Sequence, residues 1–85
     1  MKNVDIYTSP LCGYCHMAKR LLDQKGVAYN EINVLGDEAG RAQMTARAPG
    51  ARTVPQIFIG DTHVGGSDDL HALERQGKLD ALLAA

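Results

Sequence analysis

Val4-Asp5-Ile6-Tyr7, then Thr8-Ser9-Pro10, then Cys12-Gly13-Tyr14-Cys15 open the chain as a strand, its stop and the mouth of a helix. The first run alternates apolar and polar residues, the period of a half-buried strand, and Pro10 cannot extend a central ladder. Past the cysteines, Ala18, Leu21 and Leu22 recur at helical spacing, with Lys19, Arg20 and Asp23 on the other side. Gly26 is the expected helix stop. Val27 to Val34 reads as a second strand. Strand, helix and strand within about 30 residues make a βαβ unit, with a right-handed crossover and parallel strands.

The pattern continues downstream. A second helix is expected from Asp37 to Ala48, weakened by Gly40 and stopped by Pro49-Gly50. Gln56-Ile57-Phe58-Ile59, Gly60-Asp61 and Thr62-His63-Val64 read as a hairpin closed by a two-residue turn. Ser67 is read as the N-cap of a third helix carrying Leu70 and Leu73, with Asp68 and Asp69 in its electropositive first turn. Gly77 ends it, and Leu79, Leu82 and Leu83 make a short last helix. The order β-α-β-α-β-β-α predicts one α/β domain over residues 1–85, a four-stranded mixed sheet with helices on both faces.

Composition narrows the function. With 9 Lys+Arg against 10 Asp+Glu the net charge is −1, which argues against broad attraction to nucleic acid or to an anionic membrane. No stretch approaches the roughly 20 apolar residues that cross a bilayer. Met1-Lys2-Asn3-Val4-Asp5 carries an acid where an export signal places its apolar run, so a cytoplasmic location is expected. Disulfides are seldom structural there, and two cysteines three apart close too small a loop to staple a domain.

Cys12 and Cys15 are therefore read as reactive. The nucleophile in disulfide exchange is the thiolate, and a helix N-terminus favours an anion by roughly 0.3–2 kcal/mol. Backbone N–H groups of Tyr14 and Cys15 are expected to point at the Cys12 sulfur. Cys12, at the helix mouth, is the attacking thiol; Cys15, one turn deeper, resolves the mixed disulfide. A zinc site needs four ligands, and His16, His63 and His71 supply no matching pair. Cys12-Gly13-Tyr14-Cys15-His16 also fits the C-x-x-C-H pattern of haem attachment. That chemistry goes with export and a mainly helical shell, so no haem is expected.

Together with Ile6-Tyr7-Thr8, Thr53-Val54-Pro55-Gln56-Ile57-Phe58-Ile59-Gly60 and Gly65-Gly66-Ser67-Asp68-Asp69-Leu70, the cysteine motif resembles the dithiol glutaredoxins of bacteria almost end to end. The resemblance implies a thioredoxin fold, glutathione as reductant, and a monomer that reduces glutathionylated or disulfide-bonded proteins. It also implies a cis bond at Val54-Pro55, after Thr53, which leaves the Val54 N–H and C=O to pair with the glutathione backbone. By the same resemblance the Gly65-Gly66 turn leads to the Ser67 N–H, which takes the γ-glutamyl carboxylate, and Asp68 pairs with the γ-glutamyl ammonium. Tyr14 lines the groove beside the sulfur, and Gln56 and Arg47 are candidates for the glycyl carboxylate.

Three positions depart from the family pattern. Ser9 stands where many members carry Lys, Gly13 replaces the usual Pro, and Pro49-Gly50-Ala51 is one residue longer than the commonest loop. Arg52 and Lys19 are candidates for the missing cation. The small residue at position 13 also resembles glutaredoxins that hold a [2Fe–2S] cluster between two protomers, where Cys12 and a glutathione thiol would be the ligands from each. A thioredoxin is disfavoured, since the chain has no Trp and places Tyr14 before the second cysteine.

Overall fold

The computed structural model describes residues 1–84. Its elements are β1 (Val4–Thr8), α1 (Gly13–Gln24), β2 (Asn30–Asn33), α2 (Glu38–Arg47), β3 (Gln56–Ile59), β4 (Thr62–Gly65), α3 (Ser67–Arg75) and α4 (Leu79–Leu83). The strands form one sheet in the order β2-β1-β3-β4. β1 and β2 run parallel, as the βαβ reading requires, and β3 is antiparallel to both β1 and β4. Among the described residues no helix is long and apolar enough to cross a membrane.

Period-two alternation divides the core. Val4 and Ile6 of β1 and Ile57 and Ile59 of β3 join Ala18, Leu22, Leu70, Leu79 and Leu83 in one cluster, on the α1, α3 and α4 side. Tyr7 and Phe58, one residue out of phase, meet Met44 of α2 and Ala48, its C-cap, on the opposite face. The same parity places Asp5 and Gln56 on the α2 face, which decides much of the site.

Two expected boundaries shift. β2 begins at Asn30 rather than Val27, because the Val27 N–H bonds back to the Leu22 carbonyl (3.1 Å) while its side chain drops into the α1 cluster. Gly66, not Ser67, caps α3. It is extended (φ −91°, ψ −168°), and its N–H is taken by the Asp69 carboxylate at 3.0 Å, so Ser67 becomes the first helical residue. Gly65 is required as glycine. Its φ is +115°, and a Cβ there would collide with the Asp69 carboxylate.

Arg47, at the end of α2, packs over the sheet. It donates to Asp5 Oδ2 (3.0 Å) and to the Tyr7 hydroxyl (3.1 Å), and its guanidinium lies 4.0 Å from the Phe58 ring centroid. Burial works to raise the Asp5 carboxyl, but hydrogen bonds from Asn30 and Arg47 and the charge of Arg47 outweigh it and hold Asp5 below its ordinary value. Arg47→Ala is expected to lower the unfolding free energy by about 1–2 kcal/mol. A group whose folded value is depressed contributes above its unfolded value, about pH 4, and loses that contribution as pH falls through the folded value. The gap between variant and parent in urea unfolding should therefore be full at pH 7 and shrink below pH 4. Equal stabilities at pH 7 would show that the cluster is ornamental.

Candidate active site

Cys12 sits at the junction where β1, having turned through Ser9 and Pro10, enters α1. Its N–H bonds to the Ser9 carbonyl at 3.2 Å, which closes the turn. The residue is extended (φ −104°, ψ 112°) and is itself the N-cap of α1. Its sulfur accepts the Cys15 N–H at 3.2 Å, one of the orphan donors of the first turn. The expected second donor, the Tyr14 N–H, makes no such bond. Across the turn the Cys12 thiol donates to the Val54 carbonyl at 3.4 Å. That carbonyl was expected to stand free, and in the thiol state it does not.

The two sulfurs are unequal. Cys12 is partly exposed, whereas Cys15 is wholly buried beside Ala18 and Leu22. Burial, then a hydrogen bond with Cys12, push the Cys15 thiol up to about 11, against the opposing influence of Ser9 and the Lys19 charge. At neutral pH Cys15 is then held as the thiol. Lys19 does not stand in for the missing cation at position 9. It pairs with Glu31 at 3.0 Å, and the same Glu31 oxygen accepts the Thr8 hydroxyl at 2.8 Å.

Beside the thiol runs an open groove of about 630 Å³. It gathers Tyr14 from α1, Thr53, Val54, Pro55 and Gln56 along one stretch and Gly66, Ser67 and Asp68 along another; Cys12 meets it through Val54, and neither Cys15 nor Arg47 lines it. The Val54–Pro55 peptide bond is cis. Tyr14 is 61% exposed at the groove's edge. Pro49, Gly50 and Ala51, the loop that departs from the family pattern, form part of the wall.

Two expected ligand groups are otherwise engaged. Arg47 is held by Asp5 and Tyr7, and the buried Gln56 gives its amide N–H to the Thr53 carbonyl at 3.0 Å. His63, not singled out beforehand, also lines the groove, with Nε2 at 2.7 Å from Gln56 Oε1. The hairpin could have revealed it, since a two-residue turn at Gly60-Asp61 sets His63 opposite Phe58.

A partly exposed thiol capping a helix, a buried partner thiol one turn later and a cis-proline segment against the first sulfur define a thiol–disulfide oxidoreductase of thioredoxin fold. The comparisons with known proteins agree. The glutaredoxin family model matches residues 4–64. A glutaredoxin of Pseudomonas aeruginosa is 60% identical over the full length of both chains. Glutaredoxin 3 of Escherichia coli K12 is 53% identical over 98% of this chain and 99% of its own. The crystal structure of a buckwheat glutaredoxin–glutathione complex superposes with a TM-score of 0.85 at 37% identity, over 96% of this chain and 76% of that one. The chain belongs to the glutaredoxin family.

Two outcomes follow from the geometry. Iodoacetamide at pH 7 should label native protein once, at Cys12, and reach Cys15 only on unfolding or well above pH 9. Mass spectrometry of the peptides decides it, and early labelling at Cys15 would contradict its burial. Second, Gly13 is the first residue of α1, and a Cβ built there meets no atom within 4 Å. The extended Cys12 before it is the conformation that proline prefers in its predecessor. Gly13→Pro should stabilise the fold by about 0.4–1 kcal/mol. A lower urea midpoint at constant slope would refute this.

Proposed function

We propose that the protein reduces protein–glutathione mixed disulfides and protein disulfides, with glutathione as the reductant. The observation that carries this reading is the placement of the Cys12 sulfur 3.4 Å from the Val54 carbonyl, beside a groove sized for a short peptide. An extended tripeptide paired with the Val54 backbone would set its own cysteine sulfur next to Cys12. Its γ-glutamyl carboxylate would meet the Ser67 N–H at the start of α3, where backbone donors and the helix dipole favour an anion. Asp68, exposed on the groove wall, would take the ammonium, while Asp69 is occupied by the Gly66 N–H. Glutathione in the buckwheat complex supports the choice of tripeptide.

The chemistry is two exchanges. The Cys12 thiolate attacks the glutathione sulfur of a protein mixed disulfide; the protein thiolate leaves and takes up a proton. A second glutathione thiolate then attacks the glutathione sulfur held on Cys12, forming oxidised glutathione and returning the Cys12 thiolate. With a protein disulfide, the leaving thiolate departs as Cys12 bonds to the substrate sulfur. Cys15 then loses its proton, attacks the Cys12 sulfur and expels the second substrate thiolate. Two glutathiones reduce the resulting Cys12–Cys15 disulfide. We place this work in the cytosol, on a monomer, where a reducing glutathione pool drives it.

A [2Fe–2S] cluster shared between two protomers would be held by Cys12 and a glutathione thiol from each, while the buried Cys15 would take no part. No step above runs through one.

Turnover of hydroxyethyl disulfide, coupled to glutathione and its reductase, tests the assignment. Cys12→Ser should lose at least about 100-fold in rate, Cys15→Ser should stay within about threefold, and Asp68→Asn should raise KM for glutathione several-fold. Substantial activity in Cys12→Ser would sink the mechanism.

A further inference from the structure

Gln56 is 6% exposed on the α2 face of β3, and both ends of its amide are occupied. Nε2 donates to the Thr53 carbonyl at 3.0 Å and reaches Thr53 Oγ1 at 3.4 Å. Oε1 faces His63 Nε2 at 2.7 Å. The amide has one workable orientation, because turning it over would set two oxygens against each other at Thr53. His63 must then present Nε2–H to Gln56. Its ring is held independently, stacked on Phe58 with centroids 4.9 Å apart and planes at 26°.

The bond from Gln56 to Thr53 closes a loop over Val54 and Pro55, the segment that contacts the Cys12 sulfur. The geometry points to a latch: Gln56, fixed by His63, holds Thr53–Pro55 pre-set as a docking strand, and His63 is thereby a positioning residue for the tripeptide. The inference rests on the groove being the glutathione site. Both side chains line the groove, and the latch acts by removing the ordering cost that a loose segment would charge on binding. Loss of one such hydrogen bond weakens binding by about three- to tenfold.

Two variants at the exposed His63 separate its roles. His63→Phe keeps an aromatic ring against Phe58 and removes the donor, whereas His63→Gln restores a donor without the ring. The readout is the dissociation constant of S-methylglutathione, a non-reacting probe, followed by amide resonances of the reduced full-length protein. Melting temperature is measured in parallel. His63→Phe should weaken binding about three- to tenfold at unchanged melting temperature, with His63→Gln within about twofold of the parent. Binding by His63→Phe within twofold of the parent, or equal weakening by both variants, overturns the latch while the groove reading stands. A parent that ignores the probe overturns the groove reading and the latch together.

Discussion

The 3.2 Å contact between the Cys15 N–H and the Cys12 sulfur is the constraint on which the rest of the molecule turns. A helix leaves its first N–H groups without partners, and α1 recruits its capping acceptor from the atom that reacts. Serine or aspartate would cap more strongly. Sulfur gives up cap strength for nucleophilicity, and the compensation lies in packing. α1 is held from below by Ala18, Leu21 and Leu22, and its far end by Lys25, which reaches Glu74 (2.7 Å) and Asp80 (2.9 Å) on α3 and α4. A weak cap is tolerable on a helix anchored along its whole length.

That anchoring also makes the two thiols different. On a helix buried along one stripe, the residue at the cap clears the surface while the residue one turn on points into the core. Cys12 is thus accessible and Cys15 is not, from identical chemistry. Burial keeps Cys15 protonated, so it does not compete for substrate. The Lys19 charge, held in place by Glu31 and Thr8, works against that penalty from one turn further along α1. The order of events in the dithiol route follows from solvent exposure before any substrate arrives.

Much of this was legible in the chain. Alternation in Val4–Tyr7 and helical spacing through Leu22 gave the βαβ unit, and the Gly-Asp turn gave the hairpin. The glycine-rich and proline-bearing segments do come together along one groove. What escaped were partners set by the third dimension. Nothing in local spacing says that Arg47 will pair with Asp5, 42 positions away, and lie outside the groove's lining. Nor does it say that the amide of Gln56 is already occupied by Thr53 and His63. The Ser67 cap failed for a subtler reason: serine is the better intrinsic cap, but the Asp69 carboxylate reaches back to take the Gly66 N–H, and the helix start moves by one residue.

The departures at positions 9 and 13 look severe when the site is imagined as a set of side chains, and mild once its geometry is known. Apart from the neighbouring Cys15 thiol, the close polar contacts of Cys12 are to backbone: the Ser9 carbonyl takes its N–H, its carbonyl takes the His16 N–H, the Cys15 N–H meets its sulfur, and the Val54 carbonyl takes its thiol proton. Replacing a lysine at position 9 by serine removes a charge from the neighbourhood but none of these contacts. Replacing a proline at position 13 by glycine leaves them as well, at some cost in the entropy of the unfolded chain. A site written in main-chain groups follows from the path of the chain from β1 into α1 and past Val54, which is set by the apolar alternation of the strands. The chemistry is therefore inherited from the fold's hydrophobic pattern, and side-chain substitutions around the sulfur adjust its reactivity within a frame they do not build.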